Sequence, residues 1–222
     1  MKVLVFGATG MLGYGVLREC LLASDVQQVT TVGRTPTGII DPKLLEIVHK
    51  DLANYQTIEV QLSGYDACFF CLGVTSSGMS EADYERVTYV IAVAAAETLV
   101  RLNPSMTFVF VSGAGSDSTE KGKVMWARIK GKTENALLRM PFKGVYVFRP
   151  GIIEPVHGAR SKTAAYRIFY TLFKPVLPWL RRALPGYILT TEQIGLAMLM
   201  LARRGSEKRI FESKDIYAVV AP

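Results

Sequence analysis

Cysteine and histidine are scarce in this 222-residue chain, which contains three cysteines and two histidines. Cys68 and Cys71 lie three residues apart within a predicted strand, where they would point to opposite faces. No third cysteine or histidine lies close by in sequence to complete a ligand set, and His49 and His157 are isolated. We therefore expect buried thiols and no metal site.

Long uninterrupted hydrophobic runs are also lacking, although half of the residues are hydrophobic. No run approaches the roughly 20 apolar residues that span a bilayer. The apolar segment after Lys2 is interrupted by Gly7 and Gly10 and lacks a small-residue cleavage region, which argues against a signal peptide. Internal repeats and low-complexity linkers are missing too. The sequence predicts one domain over residues 1–222 and a cytoplasmic location.

Acidic side chains are rare in one region of this basic chain. Residues 1–159 hold 15 basic and 15 acidic side chains, whereas residues 160–209 hold 10 basic ones and only Glu192 and Glu207. Residues 166–184 mix apolar and cationic side chains, a pattern suited to peripheral contact with an anionic membrane or an acidic partner. The alternative is a lid helix whose apolar face covers the core. Without a groove-reading motif, nucleic-acid binding is not expected.

The most informative segment is a glycine-rich run that follows the strand candidate at residues 2–6 and precedes an apolar helical stretch. Its first glycine permits a tight turn, the second lets backbone amides approach phosphate, and the third lets the helix pack on its strand. Phosphates would lie at the helix N-terminus, where unpaired amides and the helix dipole favour negative charge. The predicted contacts to a nucleotide pyrophosphate are Gly7, Thr9, Gly10, Met11, Leu12 and Gly13.

Strand and helix candidates alternate along the chain. The strand candidates are 2–6, 29–33, 45–49, 66–72, 106–112, 145–148 and 216–220. Several are nearly continuous apolar runs, which is typical of a parallel sheet covered on both faces. The apolar stretch after the glycine run predicts a helix over 11–23, and capping residues predict helices over 80–102 and 190–204. This alternation predicts an α/β fold, a doubly wound, Rossmann-like parallel sheet, with a small C-terminal helical lid at residues 152–187.

In such a fold, ligands bind beyond the carboxyl ends of the strands. Arg34 follows the second strand candidate, where an acidic residue would bind the ribose hydroxyls of NAD. Its guanidinium suits a 2′-phosphate, which favours NADP over NAD, although a surface arginine in a loop is the alternative. Asp51 and Leu52 are placed to contact adenine, but Asp51 would equally cap the next helix. The backbone that lines the cofactor after the fourth strand would be that of Cys71, Leu72 and Gly73.

Several spaced segments together resemble the short-chain dehydrogenases/reductases, specifically their atypical, extended-type NAD(P)-binding branch of epimerase-like and Tat-interacting-protein-like oxidoreductases. The segments are 7–13, 32–34, 51–52, 71–73, 111–112, 130–134 and 149–153. The resemblance implies a dinucleotide along the strand ends. It also implies a nicotinamide near Ser112, Lys130, Pro150, Gly151 and Ile152.

Catalysis in that family depends on a tyrosine and a lysine four residues apart on one helix, and on a serine that ends the preceding strand. The resemblance implies that the phenol exchanges the proton, the lysine binds the nicotinamide ribose, and the serine holds the substrate oxygen. Ser112 and Lys130 match this pattern, whereas Trp126 occupies the tyrosine position. An indole N–H donates a hydrogen bond but does not exchange a proton near neutral pH.

Three functions therefore stay open. The first is an NADP-dependent oxidoreductase for a small carbonyl or quinone-like substrate, with Trp126 stacked on the substrate or on the nicotinamide. Its proton would be supplied by Lys130, by water, or by Tyr84, Tyr89, Tyr166 or Tyr187. The second is a catalytically silent NADPH-binding regulatory or interaction protein. The third is a nucleotide-sugar epimerase-like enzyme, which would need a larger substrate lobe. The chain is expected to be a monomer or a homodimer.

Overall fold

The computed structural model describes residues 1–160 and 186–221. Its strands in chain order are β1 (Lys2–Phe6), β2 (Gln28–Gly33), β3 (Leu44–Val48), β4 (Ala67–Phe70), β5 (Thr107–Val111), β6 (Gly144–Arg149), β7 (Ile152–Glu154), β8 (Ile188–Thr190) and β9 (Ile210–Glu212). Seven strands form one parallel sheet in the order β3-β2-β1-β4-β5-β6-β9, and β7 pairs with β8 separately. The strand order reverses between β1 and β4, which opens a crevice at their carboxyl ends.

Helices cover both faces of this sheet. They are α1 (Met11–Leu22), a 3-10 helix (Gln56–Leu62), α2 (Glu81–Glu85), a π-helical segment (Arg86–Val90), α3 (Ile91–Leu102), α4 (Met125–Leu138), α5 (Thr191–Arg204) and α6 (Ser213–Val220). The predicted N-caps are confirmed, because Ser80 Oγ accepts a hydrogen bond from the Asp83 amide at 3.1 Å and Thr190 forms a capping box with Gln193. Each cap satisfies an otherwise unpaired amide of the first helical turn.

Strand β1 shows why the apolar runs are continuous. Val3 and Val5 pack in a core shared with α1, α5 and α6, whereas Leu4 and Phe6 pack in a second core with α3 and the 3-10 helix. All four side chains are completely buried. Because successive residues of a strand point to opposite faces, a sheet with two cores leaves no polar face. The prediction of a doubly wound, Rossmann-like fold is confirmed.

The strand predicted at residues 216–220 is wrong, since α6 occupies this segment and the last strand, β9, precedes it. Glu212 and Asp215 form a capping box in which the Glu212 amide donates to the Asp215 carboxylate at 2.9 Å. Ile216 is completely buried, and Val219 and Val220 pack against the same core at helical spacing. Here a local cap and a helical apolar face outweigh the strand preference of β-branched residues.

The predicted lid is only partly described. Residues 152–160 carry β7 and a turn, and residues 186–187 lead into β8. Residues 161–185, which include the whole of the basic amphipathic segment at 166–184, lie outside the described residues. Helices α1 and α5 cross closely, because a Cβ added at Gly15 would lie 2.5 Å from Thr191 Cβ.

Candidate functional site

The glycine-rich loop after β1 has the geometry that its sequence predicts. Gly7 adopts φ +79°, and a Cβ there would lie 2.7 Å from the Leu72 amide nitrogen, so the loop lies directly against the end of β4. A Cβ at Gly13 would lie 2.1 Å from the Gly7 carbonyl oxygen. No larger residue fits either position without a shift of backbone. The first and third glycines therefore set how closely α1 approaches the sheet.

The N-terminus of α1 is open to an anion. Gly10 is its N-cap and supplies no side-chain hydrogen bond, and no acidic residue lies in the first turn. The Gly10 amide donates to the Gly7 carbonyl at 2.9 Å, which closes the turn. The unpaired amides of the first helical turn and the dipole favour phosphate at this end. Thr9 and Met11 are half-buried beside it, whereas Leu12 lies in the core. The residues present thus fit a dinucleotide pyrophosphate.

The structure separates the three residues proposed for the adenosine end. Arg34 is exposed directly after β2, and within residues 1–160 and 186–221 its guanidinium has no ion-pair or hydrogen-bond partner. Asp51 instead closes a local turn, since its carboxylate accepts from the Ala53 amide at 3.1 Å. Leu52 is 5% exposed and packs in the core with Phe6. Of the three, Arg34 has the side chain most available to a ligand.

The end of β4 borders the glycine loop. The Cys71 amide donates to the Phe6 carbonyl at 3.0 Å, which continues the β1–β4 pairing for one residue. Burial raises the pKa of the Cys71 thiol to about 12, so it is neutral at physiological pH. A Cβ added at Gly73 would meet nothing within 4 Å. The neutral Cys71 thiol and the open space beside Gly73 leave room for a ligand along this backbone.

Lys130 lies at the end of β5, on α4. It is 8% exposed, its Nζ donates to the Val111 carbonyl at 3.2 Å, and it lies 4.9 Å from the centroid of the Phe110 ring. Burial lowers the pKa of Lys130 to about 8, although the charge of Glu134 acts in the opposite direction. A strongly perturbed amine at the edge where ligands bind is a candidate for proton transfer.

Ser112 directly follows Val111, whose carbonyl accepts from Lys130, but the Ser112 hydroxyl is engaged. Ser112 Oγ donates to the carboxylate of Glu134 and lies 2.9 Å from Ser116 Oγ. Ser116 in turn donates to the Gly113 carbonyl at 2.8 Å. Because a hydroxyl has one proton, Ser112 can accept a hydrogen bond from a ligand but has its proton committed to Glu134.

Trp126 lies one turn before Lys130 and is half-buried. A Cβ added at Gly115 would lie 3.6 Å from Cη2 of its indole, so the ring lies over the loop that follows β5. This loop is fastened to α4, because the Asp117 amide donates to the Ala127 carbonyl at 2.9 Å. A Cβ at Gly131 would come within 1.7 Å of the Asp117 carbonyl oxygen. Glycine at this position lets the loop hold the site residues close to the helix.

The segment after β6 completes the edge. Pro150 is buried, whereas Gly151 and Ile152 are exposed. The Gly151 amide donates to Ser213 Oγ at 2.8 Å, and a Cβ at Gly151 would lie 3.9 Å from Ala114 Cβ. The loops after β5 and β6 are therefore neighbours, as a site shared by Ser112 and Ile152 requires.

Sequence reasoning missed two charged residues of this site, Glu134 and Arg149. The Glu134 side chain is completely buried, and both of its oxygens lie 3.1 Å from Arg149 Nε. The available signal was the four-residue spacing between Lys130 and Glu134, which places both on one face of α4. Nothing in the sequence indicated the pairing with Arg149.

The described tyrosines proposed as substitute acids contact other groups. Tyr84 is buried, with a hydrogen bond to Thr88. The Tyr89 ring lies 4.5 Å below Lys132 Nζ, and the Tyr187 ring lies 4.4 Å from Lys214 Nζ. Tyr166 is outside the described residues.

Within residues 1–160 and 186–221, no three histidine, cysteine or carboxylate side chains form a group that would hold a metal ion. Over the same ranges, no helix has the length and apolar character needed to cross a bilayer.

Known proteins resemble this chain in sequence and fold. A family profile described as NAD(P)H-binding matches residues 7–138. Protein FMP52-2, mitochondrial, of Scheffersomyces stipitis is 30% identical over 151 residues, which are 67% of this chain and 65% of the relative. Protein HTATIP2 of Rattus norvegicus is 25% identical over 155 residues, 68% of this chain and 62% of the relative. The aligned part thus spans just under two thirds of each of these relatives.

A solved structure with the same fold is an oxidoreductase of the short-chain dehydrogenase/reductase family from Burkholderia thailandensis. It superposes with a TM-score of 0.64 at 15% identity, over 98% of this chain and 92% of that one. At this identity the likeness concerns the fold alone.

The prediction of a cytoplasmic location is wrong on this comparison. FMP52-2 carries the word mitochondrial in its name, as do further FMP52 relatives from other yeasts. The family assignment, in contrast, is confirmed by profile, relatives and fold together. The chain belongs to the NAD(P)H-binding family and has the fold of the short-chain dehydrogenases/reductases.

Proposed function

We propose that this protein is an NADP(H)-dependent oxidoreductase that reduces a small carbonyl or quinone-like substrate, with Lys130 as the acid in place of the missing tyrosine. When bound, a reduced nicotinamide would supply the hydride. The protein itself positions both reactants at the strand ends and provides charge and a proton. The observation that carries this proposal is the buried Lys130 ammonium beside Ser112.

Electrostatics supports this role for Lys130. Among the described residues its Nζ has only the Val111 carbonyl as a hydrogen-bond partner, so its other protons are free to reach a substrate oxygen. A pKa of about 8 leaves it mostly protonated at neutral pH, yet makes proton release far easier than from an ordinary lysine. The ammonium would also stabilise negative charge that develops on the substrate oxygen.

Oxidation of NADPH with a panel of quinones, aldehydes and ketones tests the proposal. We expect turnover by the wild type and a loss of roughly 100-fold or more in Lys130→Met, the usual scale for loss of a general acid. Lys132→Met is the matched control, because Lys132 lies on the same helix and pairs with the partly exposed Glu85. Activity of the wild type should decline as pH rises above about 8. NADPH binding without turnover of any acceptor would contradict the proposal.

A second candidate is a silent NADPH-binding protein, and one observation favours it. The Ser112 proton is directed into the buried Glu134 carboxylate, and Trp126 replaces the tyrosine, so two of three family groups cannot supply a proton. If this candidate is correct, the wild type binds NADPH and reduces nothing, whereas Trp126→Tyr gains activity.

A further inference from the structure

We propose that the acceptor is a planar, conjugated quinone, not an isolated ketone or aldehyde, and that it stacks on Trp126. This inference rests on the proposed oxidoreductase function. The inference follows from the few groups of the site that can donate a proton and from the apolar side chains exposed near them.

Proton donors around the site are few among the described residues. Ser112 donates to Glu134, and Ser116 donates to the Gly113 carbonyl. The Cys71 thiol is buried and holds its proton tightly. Lys130 is left as the acid at the end of β5, without a phenol to relay its proton.

The two acceptor classes make different demands on such a site. Addition of hydride to an isolated ketone produces an alkoxide, a strong base that needs a positioned acid as it forms. Addition of hydride to a quinone delivers two electrons and one proton and leaves a hydroquinone monoanion, whose charge is delocalised over the ring. One further proton, from water or Lys130, completes the hydroquinone. Reduction of a quinone therefore depends little on the proton that the missing tyrosine would donate.

Large apolar and aromatic side chains stay exposed at the start of α4 and in or next to β7 and β8. Trp126 is half-buried over Gly115, and Val124, the residue before α4, is 53% exposed. Across the edge, Ile152 is 46% exposed and Tyr187 is 53% exposed. Large apolar side chains that stay exposed beside a ligand site favour an apolar ligand. Offset stacking of a flat ring on an indole adds to that preference.

The loops after β5 and β6 lie against each other at this edge. A Cβ at Gly151 would lie 3.9 Å from Ala114 Cβ and 3.9 Å from the Tyr187 carbonyl oxygen. The loop over which Trp126 lies is therefore adjacent to the segment that leads into Ile152, so one small ring system would contact both. Lys130 lies one helical turn after Trp126 on α4, where its ammonium would attract the oxygen that becomes negative.

Two bicyclic compounds of the same skeleton provide the kinetic test. We expect kcat/KM for 1,4-naphthoquinone to exceed that for 2-tetralone by about 100-fold or more, the scale of general acid catalysis. Trp126→Tyr should raise reduction of 2-tetralone roughly tenfold or more, because it restores a phenol four residues before Lys130. The matched control is Trp126→Phe, which keeps an aromatic ring without an acidic hydroxyl and should therefore show no such gain in 2-tetralone reduction.

A binding measurement without coenzyme gives an independent readout. The chain has two tryptophans, so Trp179→Phe leaves Trp126 as the sole indole. We expect 1,4-naphthoquinone to quench this emission along a saturating curve and 2-tetralone to do so weakly.

The outcomes separate this inference from the proposed function. Comparable reduction of 2-tetralone by the wild type would overturn the quinone preference and leave the oxidoreductase intact. Non-saturating quenching of Trp126 would overturn the stacking contact. NADPH binding without reduction of either compound would overturn both proposals.

Discussion

The completely buried carboxylate of Glu134 pairs with the guanidinium of Arg149. This ion pair joins helix α4 to the end of β6. The same carboxylate accepts the Ser112 proton. Arg149 also lies 3.3 Å from the carboxylate of Glu212, the N-cap of α6, and donates to Ser118 Oγ at 2.5 Å. One ion pair therefore connects the ends of β5 and β6, helix α4 and the start of α6.

Loss of the Glu134 charge should destabilise the fold strongly. In Glu134→Gln, the Arg149 guanidinium, 12% exposed, keeps its charge without its buried partner, and such a change costs about 3–5 kcal/mol. Urea unfolding at neutral pH measures the loss. The control is Glu81→Gln, which breaks the exposed pair with Arg128 and should cost less than about 1 kcal/mol. Similar small losses in both variants would show that the Glu134 carboxylate does not anchor the site.

Lys130 should make the stability depend on pH. Burial lowers the pKa of Lys130 from 10.5 to about 8, so between these values the unfolded chain binds more protons than the folded one. Stability contributed through Lys130 therefore rises as pH increases from about 8 to 10.5. Below pH 8 the charged amine is buried at a cost of about 3 kcal/mol.

The variant Lys130→Met isolates this effect. It should be more stable than the wild type at pH 7, by up to about 3 kcal/mol, and the difference should shrink towards pH 10. Urea unfolding at pH 7, 8, 9 and 10 measures it. Lys132→Met is the comparison, because the hydrogen bond with Glu85 raises the pKa of Lys132 and its contribution stays constant over this range. A pH-independent difference for Lys130→Met would contradict the assignment.

Two glycines of the cleft should respond differently to alanine. In Gly13→Ala the new Cβ would lie 2.1 Å from the Gly7 carbonyl oxygen, so we expect a loss of about 3 kcal/mol or more in unfolding free energy. In Gly73→Ala the Cβ would meet nothing within 4 Å, so stability should change by less than about 0.5 kcal/mol. If the coenzyme follows the backbone there, calorimetric titration should show NADPH binding weakened about tenfold by Gly73→Ala. Unaltered binding would place the coenzyme elsewhere.

Arg34 should distinguish the two coenzymes. Arg34→Ala removes a charge-assisted contact to a 2′-phosphate, so the Kd for NADPH should rise by roughly tenfold or more while that for NADH changes little. Calorimetric titration of both coenzymes measures the difference. Lys50→Ala is the control, since Lys50 is also exposed after an adjacent strand. Equal losses for NADPH and NADH would remove the 2′-phosphate assignment.

The features that the sequence predicts best are local ones. The turn from Gly7 to Gly13 spans a few residues, and both the close approaches and the positive φ of Gly7 follow from the absence of a side chain. The capping box of Thr190 and Gln193 is equally local. The error at residues 216–220 arose where β-branched residues favoured a strand and the cap formed by Glu212 and Asp215 decided for a helix.

The contacts that join Glu134 to Arg149 and Ser112 could not be predicted from local sequence patterns. Glu134 and Arg149 lie 15 positions apart on a helix and a strand, and Ser112 lies on a third element. Their pairing depends on how α4 packs beside β5 and β6, which no local pattern encodes. Asp51 and Leu52 were predicted to contact adenine. In the structure, Asp51 closes a local turn and Leu52 packs in the core.

The sequence alone determined the class of fold and the position of the phosphate-binding turn, because apolar runs, helix caps and glycines act over a few residues of chain. Only the tertiary structure decided that the Ser112 proton faces Glu134 and that Lys130 loses its ordinary solvation. Burial and charge pairing between distant segments are properties of the packed molecule, and they determine which proton this site can release.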